Sequence, residues 1–173
     1  MPEYLEKEVL VLGCGNILLA DDGFGFAVVQ RLNEMKESNP VLNSESLGII
    51  DAGTGASYFI LSLIDEDTPL KKIIIADIID YGLEPGQLTK LYVKDLPNIP
   101  KYKIDAHDMP LAGMLNDISA KYGTEVVVIG CQYKYMSAPD VFLELSDEVT
   151  ASVDKAAEMV IEELESWDWT RTK

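Results

Sequence analysis

Acidic residues recur in this chain where apolar runs end. Asp21 and Asp22 stand together before Gly23, Asp51 closes Leu47-Gly48-Ile49-Ile50 and is followed by Gly53-Thr54-Gly55, and Asp77 lies inside Ile73–Ile79. The one histidine, His107, sits in Asp105-Ala106-His107-Asp108. Carboxylates and an imidazole are the side chains that proton transfer and divalent-metal ligation use. Asp22 and Asp77 can supply oxygens and His107 one nitrogen. Three protein ligands leave positions open for water or for ligands that a substrate brings. Mixed nitrogen and oxygen ligation suits a borderline ion such as Ni²⁺ or Zn²⁺ better than Ca²⁺. For hydrolysis, Asp22 and Asp51 are the candidate bases. Asn16, in a glycine-framed turn, is a candidate for orienting a ligand or polarising a carbonyl.

Each of these residues also has a local reading. Asp21 or Asp22 can cap the helix that follows, although both cannot. Asp108 can cap the helix after Pro110, which would make His107 a turn residue. Asp77 is harder to explain locally, because a buried carboxylate without compensation is expensive. Several familiar sites are absent. Leu18 stands where a dinucleotide-binding loop needs its third glycine, no Gly-Lys-Ser/Thr follows, and neither G-x-S-x-G nor H-E-x-x-H occurs. Cys14, small and flanked by Gly13 and Gly15, reads as an inert core thiol rather than a nucleophile.

The elements that must position these residues follow from the hydropathy pattern. Val9–Gly13, Leu47–Asp51, Lys72–Ile79 and Glu125–Gly130 are short, β-branched and unalternated, as strands buried on both faces are. Gln87–Val93 alternates and reads as a strand with one wet face. Phe24, Val28, Val29, Leu32 and Met35 fall at helical spacing, as do Leu111, Met114, Leu115 and Ile118 in a helix ended by Gly123. Ala56–Ile64 suits a short helix. Ser146, with Asp147 and Glu148, opens a last helix to about Leu164. The expectation is a three-layer α/β/α domain over residues 1–173, with a twisted, mostly parallel sheet of about five strands and helices on both faces. Ligands of such sheets bind at the carboxyl edge of the strands, where the acidic residues gather.

The charge balance narrows the function. Lys and Arg number 14 against 30 Asp and Glu, a net charge of −16. That field opposes binding to nucleic acid phosphates and to anionic membranes. No apolar run reaches the length of a membrane span, and Met1–Glu6 has no signal-peptide character, so the expected location is the cytoplasm. The charge suits either a solvated face or electrostatic steering of a basic partner. Nothing sets the oligomeric state, and a monomer is allowed.

The ordered motifs resemble the [NiFe]-hydrogenase maturation endopeptidases. Gly13-Cys14-Gly15-Asn16 through Asp21-Asp22-Gly23-Phe24-Gly25 is similar to that family's opening segment. Asp51-Ala52-Gly53-Thr54, Ala76-Asp77 with Pro85-Gly86, the His107–Leu111–Leu115 spacing and Gly130-Cys131-Gln132 resemble its later segments in the same order. The resemblance implies a protease that removes a C-terminal extension from a hydrogenase large-subunit precursor after nickel insertion. It implies that Asp22, Asp77 and His107 read the nickel held in the precursor, with zinc as a substitute ion. The archaeal type that acts on coenzyme F420-reducing hydrogenase looks most similar. Asp105 and Tyr133 depart from the family pattern, and Tyr133-Lys134-Tyr135-Met136 is a candidate for partner recognition. Two rivals stand beside this reading. A phosphoacceptor receiver domain would use Asp21, Asp22, Asp77 and Lys134 around Mg²⁺, and a non-catalytic nickel chaperone would bind the ion without shortening the precursor.

Overall fold

The computed structural model describes residues 7–55, 60, 67, 70–94 and 111–171. His107 and its neighbours Asp105 and Asp108 lie outside the described residues, as does most of the expected helix at 56–64.

Strands β1 (Val9–Cys14), β2 (Leu47–Gly53), β3 (Lys72–Ile79), β4 (Leu88–Tyr92) and β5 (Glu125–Gln132) form one sheet in the order β2-β1-β3-β5-β4. All pairings are parallel except that of β4 with β5. Strands β1 and β3 are buried end to end, and β5 from Val126 on, because helices cover both faces, whereas β2, at the edge, is buried only at Leu47 and Gly48. Alternate residues of β1 and β3 feed two cores. Val9, Val11, Ile74 and Ala76 pack with helix α1 (Phe24–Glu34) and helix α4 (Val153–Glu165). Leu10, Leu12, Ile73 and Ile75 pack with Leu115 and Ile118 of helix α2 (Leu111–Tyr122). Gly123 ends α2 with φ +69°, a conformation glycine adopts without cost.

Two expectations need correction. Strand β4 has no clean wet face: Leu88 and Tyr92 pack on one core and Leu91 on the other, since an edge strand beside β5 is half-covered on both sides. The last helix is two helices. Ser146 caps α3 (Asp147–Thr150) by accepting from Val149 N, and the chain restarts at Val153. At the break, the buried Ser152 Oγ donates to Val149 O at 2.7 Å.

The order places β1 between β2 and β3, so the chain leaves β1 at the point where the direction of winding reverses. That crevice is where open α/β sheets bind ligands.

Candidate active site at the carboxyl edge

The end of β1 is built for close approach. Gly25, in the first turn of α1, rests on the backbone of Cys14 and of Ala76, so a Cβ there would lie 2.5 Å from Cys14 N and 2.6 Å from Ala76 O. Helix α1 is thereby seated directly on β1 and β3. Gly15 has φ +125°, and a Cβ on it would meet the Asp22 backbone and lie 2.9 Å from Asp22 Oδ1. Only glycine fits there, because the Asp22 backbone carbonyl occupies the space a Cβ would take and the φ is one that side-chain-bearing residues rarely adopt.

Asp22 follows from that geometry. A 3₁₀ turn over Ala20–Gly23 carries it back over Gly15, and Asn16 N donates to Asp22 Oδ2 at 2.9 Å. Asp21 turns the other way. Its Oδ1 accepts from Ser146 N at 2.6 Å, and its Oδ2 accepts from Lys134 N, Tyr135 N and Ser146 Oγ, each at 2.9 Å. Neither aspartate caps α1: the capping position is Gly23 and no side chain bonds there. The helical cap expected of one of them is replaced by a tie to the loop after β5. Asn16 spends its carbonyl locally, Oδ1 accepting from Leu18 N at 2.9 Å.

Asp77 is buried near the carboxyl end of β3, on the face that also carries Ile73, Ile75 and, across in β1, Cys14. Its Oδ1 accepts from Ile78 N at 2.8 Å. Asp51, on β2, is exposed and holds Gly53 N at 3.1 Å, while Gly53 O accepts from Gly15 N at 3.0 Å. The D-x-G-T segment therefore joins the ends of β2 and β1.

The Cys14 thiol reports on all three acids. Burial pushes it well above the usual thiol range, and the negative charges of Asp77, Asp51 and Asp22 push it further. Three carboxylates from three elements thus act on one buried atom. A buried thiol raised in this way favours the protonated form, in keeping with the reading of Cys14 as an inert core residue. Among the described residues, no group of three His, Cys, Asp or Glu is close enough to hold a metal ion.

Other motif residues are structural. Gln132 Oε1 accepts from Tyr81 N at 2.8 Å and Leu83 N at 3.2 Å, and Gln132 O accepts from Gly86 N at 2.8 Å, so it shapes the turn between β3 and β4. Of Tyr133–Met136, Tyr133 and Met136 pack against the core, and Lys134 pairs with Glu148 at 2.7 Å. Only Tyr135 leaves a large apolar surface in solvent. Sequence reasoning missed Val141, Phe142 and Leu143, which are exposed beside it. The available signal was a three-residue apolar run assigned to no strand or helix.

The family model for HycI hydrogenase maturation proteases matches residues 26–163. The chain belongs to the hydrogenase maturation protease family. It is 47% identical over 159 residues to a hydrogenase maturation protease homologue of Methanocaldococcus jannaschii, covering 92% of this chain and 97% of that one. It is 38% identical over 160 residues to the coenzyme F420 hydrogenase subunit delta of Methanothermobacter thermautotrophicus, covering 92% and 96%. The crystal structure of the [NiFe] hydrogenase maturation protease HycI from Thermococcus kodakarensis superposes with a TM-score of 0.70 at 22% identity, covering 92% of this chain and 94% of that one, a likeness of fold. As a member of this family the chain is a peptidase. The receiver rival fails on the sheet as well: a receiver runs 2-1-3-4-5, whereas here β5 lies inside an antiparallel β4. No helix among the described residues is long and apolar enough to cross a membrane.

Proposed function

We propose that this maturation protease removes the C-terminal extension of a [NiFe]-hydrogenase large-subunit precursor in the cytoplasm, acting as a single domain, and that it reads nickel already inserted in that precursor. The nickel belongs to the substrate. Asp22, Asp77 and His107 are the residues assigned to it. The observation that carries this reading is the burial of two carboxylates, Asp22 and Asp77, at the carboxyl end of the neighbouring strands β1 and β3. Two buried carboxylates at one sheet edge repel each other, and a divalent cation brought to them relieves that repulsion. Zn²⁺ would satisfy the same donors.

Roles divide by exposure. Asp22 and Asp77 are buried and suit ligation of a compact ion presented by the precursor. Asp51 is open to water and suits the base that activates a water molecule against the scissile carbonyl. Asn16, half-buried with its carbonyl held by Leu18 N, keeps its amide N–H₂ as the donor for a developing oxyanion.

The test is incubation with nickel-loaded and nickel-free precursor, reading product mass. Shortening of the loaded form alone is expected. Equal shortening of both forms would remove nickel reading, and a precursor left at full length in both would favour the nickel chaperone.

A further inference from the structure

The loop after β5 carries an apolar edge beside the candidate site. Val141 is 64%, Phe142 46% and Leu143 68% exposed, and Ile17 and Leu18, on the turn that delivers Asp22, are 44% and 43% exposed. These two groups form one patch. Phe142 N donates to Leu18 O at 2.8 Å, and Ala20 N donates to Phe142 O at 2.7 Å, a single parallel β-bridge between Leu19 and Phe142. The Phe142 ring stands edge-on to Tyr135, centroids 6.3 Å apart.

Three observations say what this patch is for. First, Phe142 spends both backbone groups inward, so those of Val141 and Leu143 face the outer side of the segment. Among the described residues no backbone hydrogen bond reaches either. That is the open edge to which an extended peptide adds as a strand. Second, exposed acids flank the edge, Asp140 before Val141 and Glu144 after Leu143, within a chain of net charge −16. Third, Asp21 ties Tyr135, Lys134 and Ser146 to the residue next to Asp22, so the loop is fixed relative to the site.

We infer that the Leu18–Phe142 edge docks an extended segment of the hydrogenase precursor with apolar side chains and flanking Lys or Arg, adding as a strand along Val141–Leu143. The inference rests on the proposed function for the identity of the partner. Apolar contacts and the open backbone edge supply affinity, and the acidic flanks supply orientation and encounter rate. Exposed apolar groups gathered in one place mark an interaction surface in a way that scattered ones do not.

The test uses the full chain and the nickel-loaded large-subunit precursor of the same organism's hydrogenase, with its extension. The variant is V141S with L143S; both side chains are largely in solvent, so the fold should survive, and an unchanged thermal midpoint checks this. Binding is measured apart from cleavage. The expected result is an affinity lowered about tenfold or more, with kcat/KM lowered alike and kcat within about twofold. The companion variant D140N/E144Q should slow association and flatten its salt dependence. Unchanged affinity in V141S/L143S would overturn the inference. So would self-association of the native chain that this variant abolishes while precursor binding is kept, since the edge would then serve a second copy. Patch-dependent binding without cleavage would count against the proposed function and for the docking edge.

Discussion

Asp21 and Asp22 are adjacent in sequence, and their carboxylates serve opposite sides of one turn. Asp22 lies over Gly15 and holds Asn16 N, whereas Asp21 accepts every bond it makes through its side chain from the loop between Lys134 and Ser146. The first works at the site, and the second anchors the loop that carries the docking edge.

Asp21→Asn and Asp22→Asn should therefore separate. Asp21→Asn places an amide N–H₂ against backbone N–H donors and should cost about 2–3 kcal/mol of stability. Asp22→Asn keeps an acceptor for Asn16 N and weakens the repulsion with Asp77, so stability should stay within about 1 kcal/mol while precursor processing is lost. Denaturant melts and a processing assay on both variants check this; the reverse assignment would require the two roles to be exchanged.

Gly15→Ala should fail structurally. The new Cβ would demand φ +125° of an alanine and would press on the Asp22 backbone. A loss of more than about 2 kcal/mol is expected, with processing lost alongside. Thermal denaturation against the native chain reads it directly.

Both thiols should be silent. Cys14 is held protonated by burial and by the three acids, and burial pushes Cys131 up to about 11, against the smaller opposing effect of its Ser152 contact. Iodoacetamide at neutral pH should label neither in the folded chain, and both in denaturant. Cys14→Ala should keep processing; loss of turnover with the fold intact would return the thiol to the mechanism.

Stability should decline in acid through Glu163. Burial alone would raise its carboxyl, but the hydrogen bond and charge of Lys72, then those of Lys90, outweigh that and hold it below the ordinary value. A carboxyl lowered on folding adds stability that is complete above its unfolded pKa, about 4.3, and is lost as pH falls through the lower folded value. Glu163→Gln should cost about 3 kcal/mol at neutral pH, because Glu125 at 2.6 Å is then the one carboxylate among the described residues paired with buried Lys72, whose ammonium also lies over the Trp167 ring, and it should reduce the acid slope. Urea titrations from pH 7 down to 3 on both proteins measure it.

His107→Ala should lower processing of nickel-loaded precursor by about a hundredfold while leaving the thermal midpoint near its native value. Native turnover in that variant would remove His107 from the proposed set of nickel readers.

Much of this was legible in the residues. The buried strands showed themselves because a strand covered on both faces must be largely apolar without alternation, and Ile73–Ala76 within β3 is such a run. Gly13, Gly15, Gly23, Gly25, Gly53 and Gly55 suit tight turns or close approach by residue type, and a close backbone approach occurs at Gly13, Gly15 and Gly25. The carboxyl edge followed from parallel winding, so Asp22, Asp51 and Asp77 could be gathered by order alone. Tertiary structure decided what order cannot express. Two adjacent aspartates are equivalent on paper, and only the 3₁₀ turn over Ala20–Gly23 sends one to Gly15 and the other to Ser146. Gln132 became a turn anchor because β4 folds back beside β5, a pairing of distant segments that leaves no local trace. Val141–Leu143 read as an unassigned apolar run, since periodicity reports burial against the chain's own core and is blind to an apolar edge left in solvent beside a site that other elements assemble.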